Sequence, residues 1–140
     1  MTHADPKDPS LSGWKSRSLE GFFGLVGPLW TRKEEGAWAY GFVAEKKHTN
    51  PAGIVHGGML ATLIDHALSA IAWEANDRHP CVTVQLDVQF LAAVQPGRLV
   101  EARGRIVRRT SSLVFMQGNL TVKSEEVATA SAVLKVIQPP

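Results

Sequence analysis

Hydrophobic and polar residues follow two periods along this chain. Between residues 58 and about 75, Met59, Leu60, Leu63, Ile64, Ala67, Leu68, Ile71 and Ala72 recur at helical steps. That spacing predicts an α-helix, apolar around most of its circumference and therefore buried on most sides. Thr62, Asp65, His66 and Ser69 form a narrow polar stripe on it. Beyond Asn76-Asp77-Arg78-His79-Pro80 the period changes to two. Val82, Val84, Leu86, Val88 and Phe90 alternate with Thr83, Gln85, Asp87 and Gln89, which predicts a half-buried strand. This alternation sets Thr83 on the face opposite Val82 and Val84. Residues 98–109, 113–123 and 127–137 read as three more strands separated by short turns, with Gly104 a candidate bulge. Long strands joined by tight turns make an antiparallel sheet.

The first part of the chain is less regular. Leu19, Phe22, Phe23 and Val26 share a helical face, but Gly24, Gly27 and Pro28 limit that helix to about two turns. Glu34-Glu35-Gly36 reads as a turn, residues 37–44 as a strand and 46–55 as a loop. Residues 1–16 begin polar and proline-rich and are expected to be a flexible arm, with 17–140 forming one domain. The predicted class is α+β. A single sheet offers one face to a helix that is apolar nearly all round. The sheet must curl around it, or a second copy of the chain must cover the remainder; both are expected.

Charge narrows the function. Fifteen basic and thirteen acidic residues leave a net charge of +2, with no long like-charge block, so a nucleic-acid partner is not expected. Arg103, Arg105, Arg108 and Arg109 make a small basic cluster suited to a phosphorylated small molecule. Cys81 is the only cysteine, so no disulfide forms within the chain, consistent with a reducing cytoplasmic setting. The N-terminus lacks the apolar stretch of a signal peptide. The apolar run at 57–73 is short for a membrane span and is interrupted by Asp65 and His66.

The chemistry concentrates in Asn50-Pro51-Ala52-Gly53-Ile54-Val55-His56-Gly57-Gly58 and the helix that follows. A helix start offers free backbone N–H groups and a positive dipole end, and glycine lets a carbonyl come close. Asp65 lies among Leu63, Ile64, Ala67 and Leu68, where an acid needs a hydrogen-bonding partner to remain ionised. It follows Gly58 by seven residues, which is the same helix face but about 10 Å along the axis. That is too far for both to act on one carbonyl within one subunit. Two antiparallel helices related by a twofold axis solve this, placing the helix start of one subunit opposite Asp65 of the other. The plainer alternatives are close helix–strand packing for Gly57-Gly58, a hydrogen-bonded structural acid at Asp65, a loop-orienting His56, and an Asn50 that caps the Pro51 turn. The histidines have no compact metal-ligand spacing and Cys81 has no evident base beside it. Phe22, Phe23, Leu25, Trp30, Met59 and Trp73 are candidate pocket residues.

The segment 50–65, then Thr83-Val84-Gln85-Leu86-Asp87-Val88-Gln89-Phe90-Leu91, the Pro96-Gly97 turn and Val107-Arg108-Arg109-Thr110 together resemble the hotdog-fold acyl-CoA thioesterases, in particular the phenylacetic-acid-degradation branch. The resemblance covers about residues 20–137. It implies a curved antiparallel sheet around a central helix, dimers joined edge to edge by their sheets, and tetramers built from two such dimers. It also implies interfacial sites and an aryl- or medium-chain acyl-CoA substrate, with no cofactor or metal. By the same resemblance Asp65 is nucleophile or general base, with Gly57, Gly58, Asn50, His56 and Thr83 around it. Thr83 is expected to reach the site only through the dimer contact. Arg108, Arg109, Thr110 and Ser111 match positions that meet CoA phosphates. The competing readings are a hotdog enoyl-CoA hydratase or dehydratase, and an acyl-CoA binding module without catalysis.

Overall fold

The computed structural model describes residues 8–137. Seven strands form one antiparallel sheet: β1 (Lys15–Arg17), β2 (Leu29–Glu34), β3 (Ala37–Val43), β4 (Cys81–Phe90), β5 (Leu99–Arg109), β6 (Leu113–Val122) and β7 (Glu125–Val136). Their spatial order is β1-β2-β3-β5-β6-β7-β4. A short helix α1 (Phe22–Val26) precedes β2, and the long helix α2 (Gly57–Ala75) links β3 to β4. The sheet curls around α2, which contacts β3, β4, β5, β6 and β7. Seven of the eight predicted core positions on α2 are buried, with Leu63 and Ala67 fully so, against Phe42, Val100, Val114, Met116, Leu120 and Leu134, and Ile71 is half-buried.

Close approach of α2 to the sheet depends on two facing glycines. Gly104 of β5 and Gly118 of β6 are register partners. A Cβ on Gly104 would run into Leu68 Cδ2, and one on Gly118 would come within 3.0 Å of the same methyl. Gly104 is thus a packing glycine and not a bulge; the register shift in β5 falls between Ile106 and Arg108.

The N-terminal region is more ordered than its composition suggests. Of the arm expected over residues 1–16, residues 1–7 lie outside the described residues. A 3₁₀ turn, Pro9–Ser12, leads to Trp14, which is buried and carries the Arg32 guanidinium 4.6 Å from its ring centroid. Two strands, β1 and β2, appear where the sequence indicated none. At the other end of the sheet, β4 pairs only with β7. Its outer edge has no strand beside it among the described residues, and Val82 and Val84 stand exposed along it.

Candidate active site

The site is built at the start of α2. His56 is the N-cap, with extended backbone, and its Nδ1 accepts the Gly58 N–H at 2.8 Å. The proton of the neutral ring is therefore on Nε2, which is free to donate. The Gly57 N–H donates to no described residue, so it is the open donor at this helix end. His48 holds the loop from beneath. Its carbonyl accepts the His56 N–H at 2.8 Å, its Nδ1 accepts the Glu45 N–H at 2.9 Å, and its Nε2 lies 2.6 Å from the Val26 carbonyl. Asn50 caps its own turn, Oδ1 accepting the Ala52 N–H at 2.9 Å.

Phe90, at the end of β4, covers the diglycine. Its ring atoms lie 3.3–3.6 Å from where a Cβ of Gly57 would be. A cleft of about 350 Å³ opens here, lined by Asn50, Gly57, Leu60, Phe90 and Val94 among others. Nothing in the period-two pattern marked Phe90 for this role, because it read as the last inward residue of a strand.

Asp65 has a partner within its own chain: the Thr83 hydroxyl donates to its Oδ1 at 2.6 Å. This corrects the expectation that Thr83 reaches the acid only across a dimer contact. The cause is a bulge in β4. Thr83 pairs with Leu134 and Gln85 with Val133, leaving Val84 as the extra residue. A bulge shifts the alternation by one residue. Thr83 therefore faces α2 on one side of the bulge and Leu86 and Val88 face inward on the other, while Val82 and Val84 are exposed.

The next residue, His66, points away from Asp65. Its ring lies 5.0 Å from that of Phe23 and 6.1 Å from that of Tyr40. Burial lowers its pKa, with the Asp65 charge pulling the other way. Burial raises the Cys81 thiol, which makes it a poorer nucleophile. Among the described residues no cluster of His, Cys, Asp and Glu is placed to hold a metal. No helix among them is long and apolar enough to cross a membrane.

The four arginines do not assemble into one basic site. Arg103 forms ion pairs with Glu34 and Glu101, each at 2.8 Å. Arg105 hydrogen-bonds Gln117. Arg109 donates to the Ala75 carbonyl at the far end of α2. Arg108, Arg109, Thr110 and Ser111 are all exposed at that end, and Thr110 Oγ1 accepts the Leu113 N–H in the turn. An α2 of 19 residues is about 28 Å long, so one chain keeps these residues well away from its own Gly57. Of the candidate pocket residues, Met59 and Phe23 are core, Phe22 and Leu25 are exposed, and Trp30 packs on the Trp14 cluster. Trp73 lines a second cleft.

Residues 52–129 match the family model described as thioesterase superfamily. Over 111 residues the chain is 31% identical to an esterase candidate of Pseudomonas aeruginosa, a match covering 78% of this chain and 83% of that one. It is 31% identical over 81 residues to acyl-coenzyme A thioesterase 13 of Mus musculus, spanning 57% of each chain. A Bacillus halodurans protein solved with CoA superposes with a TM-score of 0.79 at 21% identity, covering 89% of this chain and 83% of that one. The superposition extends to the whole architecture, a curved antiparallel sheet wrapped around one long helix, which is the hotdog fold.

Proposed function

The chain belongs to the thioesterase superfamily, and from that premise we propose that it hydrolyses aryl- or medium-chain acyl-CoA thioesters at a site shared by two subunits. The observation that carries this reading is the Asp65–Thr83 hydrogen bond at 2.6 Å. It ties the acid to β4, the strand at the uncovered edge of the sheet. The open Gly57 N–H lies under Phe90 at the other end of the same strand. Both halves of the chemistry thus sit along the edge that a second copy would extend.

An exposed strand of ten residues is a ready partner for another edge. Antiparallel pairing of two copies of β4 about a twofold axis at Asp87, with Val84 bulged out of the ladder, sets Thr83 of one opposite Phe90 of the other. Gly57 from one subunit then meets Asp65 from its mate. Gly57 is favoured over Gly58 as the oxyanion donor because the Gly58 N–H is already held by His56. Asp65 takes a proton from water as the water oxygen bonds to the thioester carbon, or its own carboxylate attacks and water then cleaves the anhydride. The carbonyl oxygen gains charge against the Gly57 N–H, the C–S bond breaks, and the thiolate leaves. His56 Nε2–H is a suitable donor to that sulfur, and Asn50 shapes the adjoining cleft. Arg108, Arg109, Thr110 and Ser111 supply groups for the CoA phosphates. The single thiol suits a cytoplasmic setting, and pairing of such dimers gives a tetramer.

The test is thiol release across a panel of acyl-CoA esters by the wild type and Asp65→Asn. The variant is expected to lose on the order of 10²–10⁴ in kcat while keeping the oligomer. Unchanged turnover removes Asp65 from the mechanism, and hydration of an enoyl-CoA without free thiol assigns a lyase instead.

A further inference from the structure

Among the described residues the buried polar side chains are Thr31 and His48. Thr31 accepts one hydrogen bond, from Arg17. His48 uses both ring nitrogens and its carbonyl, and each bond runs to a different part of the chain. Its Nδ1 accepts the Glu45 N–H, so the proton of the neutral ring is on Nε2. That Nε2–H donates at 2.6 Å to the carbonyl of Val26, the last residue of α1. The His48 carbonyl accepts the N–H of His56, the N-cap of α2. The residue is 3% exposed, and its ring meets that of Phe42 edge-on with centroids 4.9 Å apart.

An apolar side chain would fill this space without the cost of burying two polar ring atoms. A buried polar group with every bond made instead fixes one geometry. What His48 fixes is the loop before α2. Residues 49–55 close on themselves through the Thr49–Val55 bridge and the Asn50 N–H, which donates to the Ile54 carbonyl at 2.8 Å. A loop closed in this way moves as one piece. It is pinned to the rest of the fold on two sides. On one, the Val55 N–H donates to the Val94 carbonyl at 2.8 Å; on the other, His48 ties it to α1. Lys47 adds a parallel tie, its Nζ donating to the Gly27 carbonyl at 2.9 Å.

The Gly57 N–H belongs to the planar peptide that joins His56 to Gly57, so its direction follows the His56 ψ of 134°. His56 is held at both ends, its N–H by the His48 carbonyl and its ring by the Gly58 N–H. We propose that His48 is a positioning residue: by joining the end of α1 to the His56 backbone, it aims the Gly57 N–H at the thioester carbonyl oxygen. The inference rests on the thioesterase reading above and deepens it, naming what orients the oxyanion donor and giving α1 a part in it.

Replacing His48 separates its bonds. Glutamine can present an amide N–H where Nε2–H stood, asparagine an oxygen where Nδ1 stood, and phenylalanine neither. His48→Phe is expected to lower kcat about 10–100-fold, the effect of a small misplacement, with KM little changed. His48→Gln should recover most of the loss, and His48→Asn should resemble His48→Phe. Recovery in His48→Asn alone, wild-type kcat in His48→Phe, or a rise in KM in place of the fall in kcat overturns the proposal while leaving the hydrolytic reading intact. A second readout needs no turnover. His56-Gly57 is the only His-Gly pair in the sequence, so isotopic labels on histidine carbonyl carbons and glycine nitrogens isolate the Gly57 amide by NMR. Its resonance should shift in His48→Phe and His48→Asn and return in His48→Gln; an unmoved resonance overturns the proposal. Should no ester release thiol, the hydrolytic reading fails on its own account, and the resonance alone carries or overturns the assignment of His48 as the residue that orients this amide. If the His48 variants do not fold, Lys47→Met cuts the parallel tie from an exposed position. A fall in kcat of about 2–10-fold at the same KM, with a shifted Gly57 resonance, then supports the proposal. Wild-type kinetics or an unmoved resonance overturns it.

Discussion

Proline can replace Gly57 with little expected harm to the helix, because this is the first helical position after the His56 N-cap. Its N–H has no role inside the helix, and the preceding residue is already extended, as a following proline requires. Proline there deletes one donor and nothing else on the backbone. The nearest atoms to a Cβ added there are those of the Phe90 ring, at 3.3–3.6 Å, on a side chain that is 53% exposed. Gly57→Pro is therefore expected to lower kcat by about 10²–10³, the usual effect of removing one oxyanion donor, with unchanged helical circular dichroism. Wild-type kcat in this variant excludes the Gly57 N–H from the mechanism. Gly57 and Gly58 look alike in the sequence. They differ in the fold because the imidazole of His56 turns back to take the second N–H, a local contact that His-Gly-Gly permits but does not require.

Among the elements, the strands at one edge are joined by charge as well as by backbone pairing. Glu34 of β2 receives two hydrogen bonds from Arg103 of β5, and Arg32 closes on the same carboxylate. The Arg103 hydrogen bonds are the main reason its carboxyl titrates at about 2 instead of 4.5. A depressed carboxyl contributes stability that is complete above its unfolded value and is lost as pH falls through the folded one. The contribution, on the order of 1–3 kcal/mol after allowance for partial exposure, should fade between about pH 4.5 and 2. Urea midpoints across that range should fall less steeply in Glu34→Gln than in the wild type; parallel slopes would show that other groups govern acid unfolding. The same elements show what periodicity can and cannot carry. Helix α2 was legible because its eight apolar positions, from Met59 to Ala72, need only one rule, apolar residues at helical steps. Strand β2 was not: Leu29-Trp30-Thr31-Arg32-Lys33-Glu34 alternates, but charged pairs on its outer positions resemble a loop until Arg103 arrives from β5. Strand β4 was legible in extent but not in facing. A bulge at Val84 leaves no mark in a run of Val82, Val84, Leu86, Val88 and Phe90, yet it decides that Thr83 and not Val84 meets the helix.

For the molecule as a whole, the proposed roles of Asp65 and Gly57 make their spacing decide how many chains a site needs. Eight residues on one helix separate them by about 12 Å, and α2 is continuous over that stretch, so no motion within a subunit brings them to one carbonyl. On the proposed reading a second copy at the uncovered edge of β4 supplies the missing half, since Thr83 and Phe90, near the two ends of that strand, lie against the acid and the donor. A twofold axis converts that separation into apposition. This arrangement predicts complementation between two inactive proteins. Co-expressed with different tags, Asp65→Asn and Gly57→Pro subunits form a heterodimer in which one site has lost both groups and the other retains both. Activity of the doubly purified protein should rise far above that of either parent, up to a limit of about half the wild type when every dimer in it is a heterodimer. If the acid and the donor acted within a single chain, every site in the mixture would lack one of them, and no activity could return.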